Sequence, residues 1–272
     1  MRYEPQTWHY GLVAQNWAEF ENQSNDAPEI AYYRHCIEQY GQPALDVACG
    51  TGRLLRPYLR AGLDVDGVDI STDMVALCRQ KAEAEGTSPN LYVQPMHALD
   101  LPRRYSTIYV CGSFGIGGTR EQDAQALCRF YEHLNPGGTL LLDHQMPYGE
   151  QGSWAWKEWI AENRKQLDPD FWTAPEVERT ADGREFRTRS RLADLNPLEQ
   201  MIILQMRVEV WWNGLLQAAE ERTLTSNLYF KHELLLLLKA AGFVDVVVEG
   251  DYKQEAASPE HSTLIFIARK PA

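Results

Sequence analysis

Cysteine is scarce in this chain and is nowhere arranged as a set of ligands. The 272 residues include 5 cysteines, and none of them forms a C-x-x-C pair. This spacing argues against a zinc site and a disulfide framework, and it predicts mostly buried free thiols in a reducing compartment. His, Asp and Glu do not cluster at metal-ligand spacing either, so no metal is expected.

An excess of basic residues is also missing. Lys and Arg number 26 against 38 for Asp and Glu, which gives a formal net charge of −12. Because nucleic-acid phosphates attract positive charge, a nucleic-acid partner is disfavoured. Long apolar runs are absent too: the longest leucine run is Leu234–Leu238, and Met1–Pro5 has no apolar signal core. We therefore expect a cytoplasmic protein with no membrane partner.

What the sequence does contain is a strand–turn–helix stretch with two closely spaced glycines. Ala44–Val47 is an apolar run typical of a buried strand, Gly50 and Gly52 follow it, and Arg53–Ala61 has a helical pattern. A strand that enters a helix through glycines leaves backbone N–H groups free for a ligand, with no Cβ in the way. The simpler alternative is an ordinary connection in which the glycines only shape the turn.

Three residues around this turn bear on the identity of the ligand. A dinucleotide fingerprint requires a third glycine where Leu55 stands, so an NAD-dependent oxidoreductase is disfavoured. Asp46 lies on the first strand itself. Asp69 ends the next predicted strand, Leu63–Val68, and could hold the hydroxyl groups of a ribose. The pattern favours a nucleoside ligand.

Strands and helices alternate over residues 41–148, which predicts parallel strands joined by right-handed crossovers. Ser71 is placed to cap the second of these helices. The turn Asn135–Gly138 separates the last helix of the series from a predicted strand, Thr139–Asp143. This part of the chain is expected to form an α/β core.

Several segments, in the same order, resemble motifs of the class I S-adenosylmethionine (SAM)-dependent methyltransferases of the small-molecule type. They are Asp46–Gly52, Met96–Pro102, Leu134–Leu140 and Ala240–Phe243. The resemblance implies an α/β fold with a Rossmann-like, seven-stranded methyltransferase sheet, mostly parallel, whose last strand is antiparallel. Tyr10–Trp17 resembles the family's cofactor-capping segment, with Gly11 in place of its aspartate. His97 stands where the family usually has an acid.

The resemblance also implies SAM as the cofactor and assigns residues to it. Gly50 and Gly52 would cradle its methionyl and ribose parts, and Asp69 would bind the ribose hydroxyls. The full set of cofactor-binding residues implied in this way is Tyr10, Trp17, Asp46, Ala48, Gly50, Thr51, Gly52, Asp69, Ile70, Met74, His97, Ala98, Cys111 and Gly112.

His144 is the candidate catalytic residue. It follows Asp143 at the end of the predicted fifth strand, which in this fold borders the acceptor side of the cavity. Histidine has an ordinary pKa of about 6.5, so His144 could act as a general base. The alternatives are a structural role and a role in lining the substrate pocket, and an amine acceptor could need no strong base.

The chain is expected to divide into three parts. Residues 1–40 would form an N-terminal helical cap, residues 41–148 and 228–272 the SAM-binding core, and residues 149–227 an inserted subdomain after the fifth strand. Because the insertion departs from the edge where the ligand would lie, we expect it to cover the substrate cavity as a lid.

The insertion itself has the pattern of an antiparallel sheet with a tryptophan-rich helix. Asn213–Gly214 predicts a two-residue hairpin turn. The implied register places Arg207 opposite Glu220 and Gln205 opposite Arg222. Two sets of side chains have open roles, either in a substrate pocket or in the insertion's own core and surface. They are Trp154, Trp156, Trp159, Trp211 and Trp212, and Arg187, Arg189 and Arg191.

The function expected from these features is in-line transfer of a methyl group from SAM to a nitrogen or oxygen atom of a small molecule. The alternative is a protein that binds SAM or a nucleotide without transferring a methyl group. A small-molecule methyl acceptor would be the partner, and the protein could be a monomer or a homodimer.

Overall fold

The computed structural model describes residues 6–20, 27–147, 156–165, 167–168 and 170–272. Trp154 therefore lies outside the described residues. The helices are α1 (Gly11–Phe20), α2 (Pro28–Tyr40), α3 (Leu55–Arg60), α4 (Thr72–Ala84), α5 (Arg120–His133), α6 (Trp156–Lys165) and α7 (Lys231–Ala240). The strands are β1 (Ala44–Val47), β2 (Val65–Asp69), β3 (Leu91–Val93), β4 (Tyr105–Val110), β5 (Leu134–Gln145), β6 (Glu176–Arg179), β7 (Glu185–Asn196), β8 (Met201–Trp212), β9 (Leu215–Asn227), β10 (Val244–Gly250) and β11 (Thr263–Arg269).

The larger sheet has seven strands in the order β10-β11-β5-β4-β1-β2-β3. Strands β1 to β5 pair in parallel, whereas β11 is antiparallel to both β5 and β10. The expected fold class is confirmed. Because the chain runs from β1 towards β3 on one side and towards β5 on the other, a crevice opens at the carboxyl ends of β1 and β4.

Apolar clusters cover both faces of this sheet. One cluster joins α5 and α7 to the strands through Phe130, Leu234 and Phe266. The other joins α2 and α3 to the strands through Tyr33 and Leu55. Burial on both faces explains why the central strands read as continuous apolar runs rather than as alternating ones.

Capping residues fix the starts of two helices that flank the crevice. Ser71 caps α4, and its hydroxyl oxygen accepts a hydrogen bond from the Met74 N–H at 3.1 Å. Thr119 caps α5 in a capping box that includes the Gln122 side chain. The helix after the glycines starts at Leu55 instead of Arg53, because the turn extends through residue 54.

The smaller sheet has four antiparallel strands in the order β6-β7-β8-β9. The Asn213–Gly214 turn lies between β8 and β9, as expected. The predicted register is wrong by one residue: Arg207 pairs with Glu221, and Gln205 pairs with Thr223. The pairing shifts between Val210 and Trp211, where the facing strand has one extra residue. This β-bulge displaces every pair beyond it.

Helix α1 and the segment before it pack between the two sheets. Trp8, Val13 and Phe20 form an apolar cluster with Phe186 and Val208 of the smaller sheet. Hydrogen bonds attach the same part of the chain to both sides. The Ser71 hydroxyl donates to the His9 carbonyl, and the Gln6 N–H donates to the Thr225 hydroxyl at 3.1 Å. No helix among the described residues is long and apolar enough to cross a membrane.

Candidate active site

A cavity of about 370 Å³ lies at the carboxyl ends of β1, β2 and β4. One side of it, which we call the core wall, consists of residues that end or follow these strands. The residues of the core wall are Ala48, Gly50, Asp69, Cys111 and Gly112. Strand ends in a parallel sheet present backbone groups and short polar side chains at one edge, and this edge is where the crevice forms.

The opposite side of the cavity, which we call the outer wall, comes from the N-terminal segment, α1 and β9. Its residues are Thr7, Trp8, His9, Trp17 and Leu224. The ring centroids of Trp8 and Trp17 lie 6.5 Å apart. The His9 ring packs edge-on against Trp17, with the two centroids 5.7 Å apart. The outer wall is therefore mainly aromatic.

Two glycines make the core wall open to a ligand. Gly50 has φ +54° and Gly112 has φ +63°, and a Cβ built on either would meet no atom within 4 Å. Both line the cavity, so the space beside each backbone is available to a bound molecule. Gly52 differs, because its Cβ would lie 2.7 Å from the Cys78 sulfur. Gly52 therefore serves the turn itself.

Asp69 is held at the core wall by backbone donors. Its Oδ2 accepts from the Gly50 N–H at 2.9 Å, and its Oδ1 accepts from the Ser71 N–H at 2.8 Å. Burial raises the pKa of this carboxyl, whereas these hydrogen bonds act in the opposite direction. Each carboxylate oxygen keeps a further lone pair, so Asp69 can still accept hydrogen bonds from a ligand.

Asp46 is the second carboxyl at the cavity, and it is more deeply buried. Burial raises the pKa of Asp46 to about 8, although Tyr109 and Arg53 oppose the shift. At neutral pH this side chain is therefore mostly a neutral acid. The cavity thus holds one hydrogen-bonded carboxylate and one carboxyl that keeps its proton.

Arg53 brings a guanidinium to the cavity from the turn that precedes α3. It forms an ion pair with Glu29 of α2. Its second terminal nitrogen lies 3.7 Å from the Cys111 sulfur. Arg53 therefore connects the turn that contains Gly50 and Gly52 to the loop after β4.

His9 in the outer wall is a neutral imidazole. Its Nδ1 lies 2.6 Å from the Thr7 hydroxyl, and its Nε2 accepts from the Trp8 indole N–H at 3.2 Å. Because Nε2 accepts, Nδ1 carries the proton. Burial lowers the pKa of His9 to about 4, so the ring stays uncharged at neutral pH.

A second cavity, of about 400 Å³, adjoins the first. The two share lining residues at Ala48, Asp69, Ile70 and Met96. His97 lines only the second cavity, together with Gln122 and Asp123 at the start of α5. Asp69 therefore lies where the two cavities meet.

The structure places ten of the predicted cofactor-binding residues on these two cavities. Those on the first cavity are Trp17, Asp46, Ala48, Gly50, Asp69, Ile70, Met74, Cys111 and Gly112, and the tenth, His97, is on the second. Four others do not line either cavity: Tyr10, Thr51, Gly52 and Ala98. Tyr10 still contributes indirectly, because its hydroxyl donates to the Ile70 carbonyl at 3.3 Å.

The structure does not bring His144 to the cavity. Its side chain is buried among core residues, and its Nε2 accepts from the Tyr229 N–H at 3.2 Å. Burial also lowers the pKa of His144 to about 4. Strand alternation puts Asp143 on the opposite face of β5 from His144, where its buried carboxylate accepts from the Gly112 N–H. The structure therefore does not place His144 at the cavity where a general base would act.

Sequence reasoning missed much of the outer wall. Thr7, Trp8, His9 and Leu224 reach the cavity only through tertiary packing, and no local motif marks them. Arg53 and Ser113 were detectable in principle, because each adjoins a residue that was assigned to the cofactor. The insertion was expected to cover the cavity as a lid. Among the described residues of the insertion, Leu224 of β9 is the one that lines the first cavity.

Comparison with known proteins agrees with this geometry. Residues 44–138 match a family model described as a methyltransferase domain. This part of the chain is therefore similar to a methyltransferase domain. The match covers the two glycine turns and Asp69, and the resemblance seen in the sequence motifs is confirmed.

Curated relatives of the methyltransferase domain match over part of their length. One is the dTDP-3-amino-3,4,6-trideoxy-alpha-D-glucopyranose N,N-dimethyltransferase of Streptomyces venezuelae. It is 32% identical over 100 residues, which is 36% of this chain and 40% of that protein. Over the first three such relatives the match spans 38–56% of the relative's own length.

Solved structures match over nearly the whole chain. The sugar N-methyltransferase KedS8 from Streptoalloteichus has a TM-score of 0.70 at 19% identity, and the match covers 100% of both chains. The CcbJ methyltransferase from Streptomyces caelestis has a TM-score of 0.72 at 19% identity, covering 99% of this chain and 100% of that one. At this identity the likeness concerns the fold, including the insertion.

Proposed function

We propose that this protein transfers a methyl group from SAM to a small-molecule acceptor. One observation carries the proposal: two glycine backbones, Gly50 and Gly112, open onto the same cavity as the Asp69 carboxylate. This combination of open backbone and an acceptor for hydroxyl groups suits a nucleoside with a flexible polar tail, and it lies in the methyltransferase domain.

The residues of the cavity fit such a cofactor. Asp69 would accept hydrogen bonds from the ribose hydroxyls, and the backbones at Gly50 and Gly112 would lie against the methionyl part. Ile70, Met74 and Met96 offer apolar surface for the base. Trp17, Asp46, Ala48, His97 and Cys111 complete the proposed cofactor site. Tyr10, Thr51, Gly52 and Ala98 would support it from outside the cavity.

SAM supplies a methyl group on a sulfonium, which is a good leaving group, so the protein has mainly to hold and orient the acceptor. The outer wall would perform this task. Its aromatic side chains exclude water, and aromatic faces stabilise cationic groups such as a methylated amine. Ser113, whose hydroxyl donates to the Cys111 carbonyl and can still accept a hydrogen bond, offers a polar contact at the same cavity. Among the residues that the structure describes, none at the outer wall is a strong base.

These features favour an amine as the acceptor, because an amine can react in its neutral form without a strong base. Two relatives that act on amino sugars support the same choice. We also propose the division into an N-terminal cap (1–40), a core (41–148 and 228–272) and an insertion (149–227). Free thiols at every cysteine support a location in the cytoplasm.

Calorimetry and a turnover assay test the proposal. SAM and its demethylated product, S-adenosylhomocysteine, should both bind, whereas NAD should not. A panel of small amines, including amino sugars, and a matched panel of hydroxyl compounds are then screened for release of S-adenosylhomocysteine. Binding of SAM without turnover on any panel would favour the alternative of a binding protein, and failure to bind SAM would refute both.

A further inference from the structure

His97 lines the second cavity with one ring nitrogen engaged and the other without a partner in the described part of the chain. The Gln122 side-chain nitrogen lies 3.3 Å from His97 Nε2. No hydrogen bond reaches His97 Nδ1 from any residue that the structure describes. Nδ1 is therefore available to a molecule in the cavity, and the tautomer of the ring decides whether Nδ1 donates or accepts a hydrogen bond.

The capping box of α5 determines the tautomer of the His97 ring. The Thr119 backbone N–H donates to Gln122 Oε1 at 2.8 Å. Because a backbone N–H can only donate, this bond fixes which end of the Gln122 amide is the oxygen. The NH₂ end of Gln122 therefore faces His97 and donates to Nε2. Since Nε2 must then hold a lone pair, the proton of the neutral ring lies on Nδ1.

A ring in this state presents a donor to the cavity. Adenine has acceptors at its ring nitrogens and a donor at its 6-amino group. An Nδ1–H group that faces the 6-position of the base can donate to an oxygen there, but it cannot accept from the 6-amino group of adenine. A carboxylate at the same position would do the reverse, because it only accepts.

We propose that His97 determines base specificity as a hydrogen-bond donor, and that Gln122 is the positioning residue that sets its tautomer. This inference rests on the proposed function, and it further assigns the base of SAM to the second cavity, with its 6-position beside His97. Its consequence is weak discrimination against a 6-oxo base. The oxygen of hypoxanthine can accept from Nδ1–H, whereas the 6-amino group of adenine gains nothing from His97.

The experiment compares S-adenosylhomocysteine with S-inosylhomocysteine, which carries the 6-oxo base, by calorimetry. In the wild type the two dissociation constants should differ by less than about tenfold, the value of one ordinary hydrogen bond. His97→Asp should raise the preference for adenine about tenfold or more, because a carboxylate accepts from the amino group and repels the oxygen.

Gln122→Glu tests the positioning role while it keeps the capping box, since Glu also suits that position. A carboxylate beside Nε2 draws the proton there, which leaves Nδ1 as an acceptor, so the preference for adenine should also rise. Nitrogen-15 NMR of the imidazole should show Nδ1–H in the wild type and Nε2–H in this variant. Asp69→Ala is the control, because it should weaken both nucleosides without changing their ratio.

An Nε2–H tautomer in the wild type would overturn the inference, and so would an unchanged ratio in both variants. If the wild type binds S-adenosylhomocysteine and the ratio does not respond, only the role of His97 fails. If it binds neither nucleoside, the proposed function fails as well.

Discussion

The two walls of the cavity differ in how the chain builds them. The core wall consists of turns whose key hydrogen bond, from the Gly50 N–H to Asp69, joins residues 19 positions apart. The outer wall depends on the pairing of Gln6 with Thr225, which are 219 positions apart. The core wall offers backbone and carboxyl groups, whereas the outer wall offers aromatic rings and one neutral imidazole.

Their titratable groups also respond to pH in opposite directions. Asp46, which lies on β1 at the same cavity, has a raised pKa, so it favours folding at low pH. His9 in the outer wall has a lowered pKa, so it favours folding at high pH. Different parts of the chain form the two walls. Substitutions in the outer wall can therefore change which acceptor binds while the core wall, which would hold the cofactor, stays the same.

The largest expected effect is the dependence of stability on Asp46. The unfolded side chain loses its proton near pH 4, whereas the folded one keeps it to about pH 8, so the free energy of unfolding falls as pH rises between these values. The loss amounts to roughly 5 kcal/mol at most. Asp46→Asn should lack this loss. Urea unfolding at several pH values measures the difference, and parallel pH profiles for the two proteins would contradict it.

Gly50→Ala should abolish most SAM binding while it spares the fold. The added Cβ meets no protein atom within 4 Å and would occupy ligand space, so affinity should fall by about 100-fold. Stability should fall by only about 1 kcal/mol, the cost of the left-handed backbone. Gly52→Ala is the matched control: its Cβ meets Cys78 and Arg56, so it should lose more stability. Equal effects of the two variants on SAM affinity and unfolding would refute the distinction.

Asp69→Ala should weaken SAM by about 1.5–3 kcal/mol, if its carboxylate accepts from the ribose hydroxyls. The variant also frees the Gly50 and Ser71 N–H groups, so thermal unfolding must accompany the calorimetric titration. Unchanged affinity in a folded variant would remove Asp69 from the site.

His9→Gln should change the acid side of the stability profile. The folded His9 takes up its proton near pH 4 and the unfolded one near pH 6.5, so wild-type stability falls as pH drops through this interval. Over the same interval the free energy of unfolding of the variant should fall by about 1–3 kcal/mol less than that of the wild type. Its SAM affinity at neutral pH should change little. The same urea series extended to pH 4 provides the measurement. Identical acid profiles would show that burial of His9 does not contribute.

The smallest functional effect is expected for His144→Gln, because His144 belongs to neither wall. Its ring accepts from the Tyr229 N–H in the core, so the variant should be less stable, by about 1–3 kcal/mol. SAM affinity and turnover on any acceptor found in the screen should stay within about threefold of the wild type. A loss of turnover of 100-fold or more at unchanged stability would restore His144 as a general base.

Local signals in the sequence were enough to predict the core wall and most of the larger sheet. Gly50 and Asp69 each follow a strand pattern that ends in a recognisable turn, and Ser71 caps its helix as expected. The register of the β8–β9 hairpin was wrong, because the bulge at residues 210–211 leaves no signal in the alternation of side chains.

The outer wall could not be predicted, for a different physical reason. Trp8 and His9 lie in a segment without secondary structure, and Leu224 lies on a strand whose neighbours alternate like any others. Only packing of α1 against the smaller sheet brings them to one cavity. The expectation that His144 borders the cavity had a local cause. The sequence of its strand does not show which face of the sheet residues 143 and 144 each present.

The bond between Gln6 and Thr225 also bears on the order of folding. Contacts between positions so distant form late, because the entropy of closing the intervening loop must be overcome before they contribute. As the chain emerges from the ribosome, the turn from Gly50 to Asp69 can form while most of the insertion is still unmade. The segment that carries Trp8 and His9 must wait for β9. The segment that carries Trp8 and His9 is thus made before the turn from Gly50 to Asp69 but reaches its native position after it.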